Sequence, residues 1–217
     1  MAVQKVAEKA SGGRQAAYTA RNRAAIVRSA QRVLADIGPF ATIEQLAESS
    51  QVSPTTIYKY FKNKDLLFSE ALNQIWIEWV EWSYNGVPEG ESLEAVIDVA
   101  RKLFWIKDTH PLFAKILRNT LSNPDFVIRA VRGSAEKIFK QLAKKGELAS
   151  DNFEIRINLY SSALAGILIA VHVNEEMSPA KADQALAIAM RIFDVPESKA
   201  KKIVSRKLVF APINKPL

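Results

Sequence analysis

Residues 42–65 of the chain read TIEQLAESSQVSPTTIYKYFKNKD, and this stretch decides the fold of the N-terminal region. Thr42 precedes an apolar pattern at i, i+3 and i+4 spacing, so its hydroxyl can cap a short helix. The residues that share the apolar face of this helix are Ile43, Leu46 and Ala47. The pattern predicts a first helix that packs through one side only.

A second short helix is predicted to begin at Ser53-Pro54. The serine oxygen can accept a free backbone N–H, and proline fits the first helical position. Ile57 and Phe61, four residues apart, would be buried, and Asn63 would cap the helix that follows. The residues left to face outward or to lie at the edge are Thr55, Thr56, Tyr58, Lys59 and Tyr60. Two short helices around a tight turn, with a polar outer face, are built to place one helix in the major groove of DNA.

The run from Val52 to Phe61, followed by Asn63-Lys64-Asp65-Leu66-Leu67, resembles the DNA-binding signature of TetR-type transcriptional regulators. The resemblance covers about residues 21–72. Upstream residues that fit the same pattern are Ala30, Leu34, Gly38, Phe40, Thr42, Ile43, Leu46 and Ala47. It implies an all-α fold with a three-helix helix-turn-helix domain, followed by a helical ligand-binding and dimerisation domain, with about nine helices in total.

The resemblance also implies which residues contact DNA. Thr55 and Thr56, near the start of the second short helix, would reach base edges, and Lys64 would bind a phosphate at the start of the next helix. Lys59 could bind a phosphate or could simply be a solvated charge, as lysines on exposed helix faces often are. The full predicted DNA-binding set is Thr42, Ser53, Pro54, Thr55, Thr56, Tyr58, Lys59, Tyr60 and Lys64.

Two positions depart from the family pattern. Gln51 and Thr55 stand where glycine is common. If Gln51 adopts a left-handed conformation, the cost is on the order of 1–2 kcal/mol, which a folded domain can absorb. Thr55 adds a hydroxyl and a methyl group to the DNA-facing side, so the operator sequence cannot be inferred from the family.

The distribution of charge supports DNA binding independently of the resemblance. The chain has a net charge of +7, and residues 1–64 hold ten Lys or Arg against four Asp or Glu. Residues 65–195 hold fourteen against eighteen, whereas residues 196–217 hold six against one. A basic N-terminal block suits phosphate neutralisation. The basic end of the chain could touch DNA or an acidic partner, although such a run is more often a solvated terminus.

Composition limits the other possibilities. The chain has 217 residues, 48% of them hydrophobic, so it can bury a sizeable core. It has no cysteine, which excludes disulfides and thiolate metal sites and is compatible with a reducing cytoplasm. The longest purely apolar run, 163–171, is too short to span a bilayer, and the first twenty residues lack a secretory signal. We therefore expect a cytoplasmic protein without membrane, metal or cofactor.

Four regions are predicted along the chain. They are a flexible basic arm at 1–18, a helix-turn-helix DNA-binding domain at 19–66, a helical effector-binding and dimerisation domain at 67–195, and a basic C-terminal tail at 196–217. The first helix is expected to run from about Thr19 to Ile37. Within the tail, Leu208-Val209-Phe210 could be extended or form a last helical turn.

Two late helices are rich in small residues, which let helices approach closely. Together they could form a self-complementary contact across a two-fold axis, although packing inside one subunit is the alternative. The predicted dimer-interface residues are Leu159, Ala163, Gly166, Ile167, Ala170, Ala182, Ala185, Leu186, Ala189 and Phe193. A homodimer would place two reading helices about one DNA turn apart, or a small multiple of it, on a palindromic operator.

A small-molecule effector is implied by the resemblance, and apolar residues of the helical body are candidates for its pocket. They are Trp76, Trp79, Phe104, Trp105, His110, Phe113, Leu117, Phe139 and Tyr160, with His172 as a further polar candidate. Aromatic residues at helical spacing are usually core, so ordinary packing is the alternative for each.

The predicted function is a TetR-like regulator, a repressor that binds operator DNA as a homodimer and is released by a small, apolar effector. No nucleophile elbow, phosphate-binding glycine loop or paired metal ligands point to an enzyme. The alternative is a helical protein-interaction module, or an enzyme, that carries a DNA-binding head without effector control.

Overall fold

The computed structural model describes residues 2–85, 92–121 and 124–213, and all regular structure in these ranges is helical. This confirms the prediction of an all-α fold. The chain divides into two compact units, Met1–Ile75 and Trp76–Leu217. The helices are α1 (Ala2–Asp36), α2 (Ile43–Ser50), α3 (Pro54–Tyr60), α4 (Lys64–Tyr84), α5 (Leu93–Lys102), α6 (Ile106–Thr109), α7 (Pro111–Thr120), α8 (Pro124–Lys144), α9 (Phe153–His172), α10 (Pro179–Ala189) and α11 (Glu197–Val204).

Helix α1 is longer than predicted. It begins at Ala2 rather than near Thr19, so the backbone of the expected flexible arm is helical from residue 2 onward. Alanine, lysine and glutamate favour helix strongly enough to outweigh the roughly 1 kcal/mol that each of the two adjacent glycines costs. The side chains of Lys5, Lys9 and Arg14 lie outside the described residues.

The N-terminal unit packs around the faces predicted for its helices. Ile37, directly after α1, is 47% exposed where the chain leaves the helix. Gln31 ties α1 to α4, since its side-chain amide donates to the carbonyl oxygen of Ala71 over 3.3 Å. The buried apolar residues are Ile26, Val27, Ala30, Val33, Leu34, Ala35, Ala41, Leu46, Ala47, Ile57, Phe61, Leu67, Phe68, Ala71 and Ile75.

The turn between α2 and α3 contains a left-handed residue at Gln51, a position where glycine is common in the family pattern. Gln51 has φ 54° and ψ 38° and ends α2. The next amide, of Val52, donates to the carbonyl oxygen of Ala47 over 3.0 Å. A left-handed residue with this bond pattern is a common way to end a helix, and glycine is its usual occupant. Gln51 therefore carries a local strain that the tertiary structure absorbs.

The C-terminal unit contains two groups of packed aromatic rings. Trp76, Trp79 and Phe113 have ring centroids 5.7–6.1 Å apart. Phe139 lies 5.0 Å from both Tyr160 and Phe193. Such distances and tilted geometries are those of a tightly packed core.

A buried ionic cluster joins α5 to α10 and to the C-terminal segment. The Arg101 guanidinium makes two 2.9 Å bonds to Asp183 and one 3.2 Å bond to Asp98. Arg206 reaches the other oxygen of Asp98 over 3.3 Å. Desolvation raises the pKa of Asp98, although the neighbouring cations oppose the shift. Charges buried this deeply need such partners, so the cluster fixes the arrangement of these three segments.

The predicted tail at 196–217 is corrected in part. Residues 197–204 form α11, which buries Ala200 and Ile203, because two apolar residues three apart suffice for one helical face. Residues 208–210 have no regular secondary structure, so they do not form a last helical turn. Helix α9 has the length and composition of a membrane-crossing helix, but half of that stretch is buried within the protein, as in the core helix of a helical bundle.

Candidate nucleic-acid interface and cavity

The N-terminus of α3 is capped as predicted. The hydroxyls of Ser53 and Thr56, both predicted to contact DNA, take part in the hydrogen bonds of this cap. The hydroxyl oxygen of Ser53 accepts the backbone N–H of Thr56 over 3.1 Å. It also lies 2.9 Å from the hydroxyl of Thr56. The two side chains therefore hold each other, while Pro54 fills the first helical position. The cap presents Thr55 to solvent with its hydroxyl available.

The outer face of α3 is polar and exposed. Thr55, Tyr58 and Lys59 are exposed, whereas Ile57 is buried. Tyr60 is half-buried, and its hydroxyl lies 3.4 Å from the side-chain nitrogen of Asn22 on α1. The structure thus brings Thr55, Tyr58 and Lys59 together on the open side of the helix and turns Tyr60 toward α1.

A reciprocal cap holds the N-terminus of α2. The hydroxyl oxygen of Thr42 accepts the backbone N–H of Gln45 over 3.3 Å, and Gln45 Oε1 accepts the backbone N–H of Thr42 over 2.8 Å. This capping box satisfies two N–H groups that a helix start leaves free. Gln45 was not predicted as part of the site, although its position three residues after Thr42 is the signal for it.

Lys64 makes contacts that its sequence position did not reveal. Its ammonium donates to the carbonyl oxygen of Ala41 over 2.9 Å and to that of Pro39 over 3.3 Å. An ammonium has three N–H donors, so one remains for a phosphate. Lys64 therefore has a structural role in the loop before α2, in addition to any contact with DNA.

Two residues of α1 that contact α3 and its C-terminal end, Asn22 and Arg23, were not predicted as part of the site. Arg23 pairs with Glu70 of α4 through both guanidinium nitrogens, and its guanidinium lies 4.6 Å from the ring centre of Phe61. Together with Asn22, it links α1 to α3 and α4. These contacts join residues 38 to 47 positions apart in sequence, so local patterns contain no signal for them.

The C-terminal unit contains a small apolar cavity with a volume of about 40 Å³. Helices α4, α5, α8 and α9 line it together with the turn at Leu103. The lining residues are Trp76, Trp79, Val80, Tyr84, Val96, Val99, Ala100, Leu103, Val131, Ala135, Tyr160 and Leu164. None of these side chains is charged, so a ligand held here would be uncharged as well.

Three of the predicted effector-pocket residues line the cavity, namely Trp76, Trp79 and Tyr160. Burial raises the pKa of the Tyr160 hydroxyl, which keeps it protonated. The Trp79 indole N–H has no hydrogen-bond partner among the described residues. The lining residues that sequence reasoning missed are mostly small and aliphatic, and nothing in their spacing separates them from ordinary core.

The other predicted pocket residues lie elsewhere. Phe104, Phe113, Leu117 and Phe139 are buried in the core but not in the cavity wall. Trp105 is 39% exposed and meets Phe210 edge-on, because α5 ends in a tight turn that directs it outward. These five side chains serve packing, which was the alternative for each of them.

Both histidines are buried and pack without reaching the cavity. His172 donates from Nε2 to the carbonyl oxygen of Leu103 over 2.8 Å, and the edge of His110 lies against Trp82 with ring centres 4.3 Å apart. Burial lowers the pKa of each imidazole. His110, which was predicted to line the effector pocket, packs on Trp82 instead, and neither residue is in the wall of this cavity.

The structure divides the predicted dimer-interface residues into two groups. Leu159 is 54% exposed and Gly166 is exposed, with Ala163, Ala170 and Ala185 half-buried. The other five are buried within the subunit, as in the alternative of packing inside one chain. They are Ile167, Ala182, Leu186, Ala189 and Phe193. Because α10 is apolar on more than one side, the sequence alone did not show which of its faces packs inside the subunit and which is exposed.

Comparison with known proteins agrees with this geometry. Residues 26–71 match the family described as bacterial regulatory proteins, tetR family. No curated protein sequence matches the chain. The chain is similar to RolR in complex with resorcinol, with a TM-score of 0.67 at 15% identity over 92% of this chain and 100% of that one. It is also similar to a TetR-family regulator from Haemophilus influenzae, with a TM-score of 0.56 at 18% identity over 81% and 97% of the two chains.

The matched residues 26–71 comprise the buried part of α1, the capped pair α2 and α3, and the first turns of α4. The solved structures extend the likeness of the fold over most of the chain. Residues 26–71 of the N-terminal unit therefore match the DNA-binding region of TetR-family regulators, and the solved structures show a similar fold over most of the chain.

Proposed function

We propose that the protein is a repressor that binds a palindromic operator as a homodimer and leaves it when a small, uncharged effector binds. The observation that carries the proposal is the outer face of α3, where Thr55, Tyr58 and Lys59 are exposed on a helix with a fixed N-terminal cap. An exposed polar helix face in a helix-turn-helix is what enters the major groove.

Two classes of DNA contact are proposed. Thr55 and Tyr58 read bases, because a hydroxyl can bond a base edge and a threonine methyl can touch thymine. Thr42 and Lys64, at the N-termini of α2 and α4, meet phosphates and set the position of α3. Ser53, Pro54 and Thr56 shape the start of α3, and Lys59 and Tyr60 lie beside it. Lys59 is free to reach a phosphate.

A homodimer is supported by apolar residues that no other part of the described chain covers. Along α9 and at its C-terminal end they are exposed at intervals of four or seven residues, which places them on one side of the helix. On α10, Ile188 is 71% exposed. At α9 these residues are Ile155, Leu159 and Gly166 of the helix, and Val173, which directly follows it. Burying such a face against a second copy would give a two-fold protein with two α3 helices, as a palindrome requires.

The effector class follows from the cavity. Its lining is aromatic and aliphatic, without charge. Its volume of about 40 Å³ is smaller than the roughly 150 Å³ of a cavity that binds benzene, so side chains must move apart to admit an aromatic ring. RolR has been solved with resorcinol, a single ring with two hydroxyls. We propose a small uncharged aromatic effector, for which the Trp79 N–H and the Tyr160 hydroxyl are candidate partners.

Helix α4 contains both a proposed phosphate-binding residue and residues that line the cavity, so effector binding could act on DNA binding through this helix. It begins at Lys64, beside the loop before α2, and ends at Tyr84, which lines the cavity. A ligand that moves the last two turns of α4 acts on the same helix that carries Lys64. Repression by blocking a promoter, in the cytoplasm and without catalysis, is the simplest use of such a protein.

The test is selection of bound DNA from random-sequence duplexes with the purified full-length chain. Recovery of an inverted repeat would support both the operator and the two-fold binding. The recovered duplex is then used in a mobility-shift assay in which either half-site is scrambled. Equal binding after scrambling would overturn the palindrome, and failure to bind any duplex at low salt would favour the alternative of a helical interaction module.

A further inference from the structure

Phe40 is the most exposed large apolar side chain among the described residues, at 86%. It lies in the loop between α1 and α2 of the DNA-binding unit. Single exposed apolar residues are common on protein surfaces and need no explanation by themselves. Phe40 is different because the loop that carries it is held rigidly in this arrangement.

Three contacts fix the loop around Phe40. The ammonium of Lys64 binds the carbonyl oxygens of Pro39 and Ala41, which are the residues on either side of it. The amide of Ala41 donates back to Gly38 over 3.3 Å, and Gly38 has φ 91°, a conformation that suits glycine. Ala41 is fully buried. With both neighbouring carbonyls clamped and Ala41 turned inward, the ring of Phe40 is directed into solvent.

The surroundings of the loop identify the kind of partner. Thr42, two residues after Phe40, caps α2, and Lys64, which clamps the loop, begins α4. The Lys64 ammonium and the N-terminus of α2 therefore adjoin the loop that carries the ring, and each favours an anion. Residues 1–64 also carry ten basic against four acidic residues. This setting fits the DNA backbone better than it fits an apolar protein surface.

On a DNA backbone, the apolar surface next to each phosphate is the deoxyribose. We propose that Phe40 packs against the deoxyribose beside the phosphate bound at the N-termini of α2 and α4, as an uncharged contact that strengthens binding to every sequence. The proposal rests on the DNA binding proposed above. Such a contact positions the protein on the duplex without reading bases. Because the loop is already rigid, little conformational entropy is lost when the ring is covered.

The test compares variants of the full-length chain by fluorescence anisotropy, with the selected operator and with a random duplex, over a series of salt concentrations. Phe40→Ala is expected to weaken binding to both duplexes about fivefold, which corresponds to about 1 kcal/mol. The dependence of affinity on salt should stay as in the wild type, because no charge is lost. Phe40→Leu should restore most of the affinity, and Lys64→Ala should instead flatten the salt dependence.

Ile37→Ala is the matched control, since Ile37 is an exposed apolar residue of the same loop region and is expected to leave affinity unchanged. Thermal melting confirms that Phe40→Ala stays folded, as expected for so exposed a side chain. If the wild type binds DNA and Phe40→Ala binds equally well, the inference fails while the proposed function stands. If Phe40→Ala changes the mass of the protein in sedimentation instead, Phe40 belongs to a protein interface and the inference also fails. If the wild type binds no duplex, the proposed function fails first.

Discussion

The indole Nε1–H of Trp82 donates to the carbonyl oxygen of Ala211 over 3.3 Å and so ties α4 to the C-terminal end of the described chain. Phe210 stacks on the same indole with ring centres 6.3 Å apart. Arg101 donates to the carbonyl oxygen of Arg206 over 3.0 Å. Residues 206–211, the C-terminal strap, are thus held at both ends.

Replacement of Phe210 tests whether the C-terminal strap stabilises the fold. Phe210→Ala should lower the free energy of unfolding by about 1–2 kcal/mol, less than for a fully buried phenylalanine because the ring is partly exposed. Val209→Ala, at the neighbouring exposed position, should change it by less than about 0.5 kcal/mol. Urea denaturation followed by circular dichroism measures both. Equal effects of the two substitutions would mean that the ring contacts contribute nothing.

Gln51 offers a substitution that should stabilise the protein. With φ 54°, it adopts a conformation that glycine reaches without strain. Gln51→Gly is expected to raise the free energy of unfolding by about 0.5–1 kcal/mol. The control is Glu48→Gly in the last turn of α2, which should lower it by about as much. A loss of stability in Gln51→Gly would show that the glutamine side chain outweighs the backbone strain.

The caps of α2 and α3 and the left-handed Gln51 were predictable because their signals lie within three or four residues. Lys64 and Trp82 were not, since each has a partner brought near only by folding, 23 to 129 residues away in sequence. The cavity was partly predictable. Its aromatic residues stand out in the sequence, whereas Val96, Val99 and Ala135 have the same pattern as any core residue.

Acid should destabilise the protein through its two histidines. Burial places the pKa of His110 and of His172 below the ordinary value, so the unfolded chain binds more protons near pH 6. Stability contributed by the neutral imidazoles is therefore fully present above about pH 6.5 and is lost as the pH falls below it. His172→Gln, which keeps a donor for Leu103, should make the loss between pH 6.5 and 5 shallower in urea titrations. An unchanged slope would contradict this.

Filling the cavity should abolish effector binding without unfolding the protein. Ala135→Leu adds three carbon atoms to the cavity wall, so the thermal shift caused by a small aromatic probe such as resorcinol should disappear. Ala182→Leu is the control, because Ala182 is fully buried away from the cavity. Overpacking there should cost about 1–3 kcal/mol of stability and leave the probe response intact. A probe response that survives in Ala135→Leu would place the effector elsewhere.

The exposed face of α9 provides the sharpest test of the homodimer. Leu159→Glu puts a charge where an apolar side chain would be covered by the second copy, and Leu159 has no buried role within the subunit. The dissociation constant of the dimer should rise on the order of 100-fold, equivalent to about 3 kcal/mol. Ile77→Glu is the control, since Ile77 is exposed to a similar degree on α4. Sedimentation velocity distinguishes the species, and operator affinity should fall only for Leu159→Glu, because a monomer binds a single half-site. If Leu159→Glu remains a dimer, this face of α9 is not the interface.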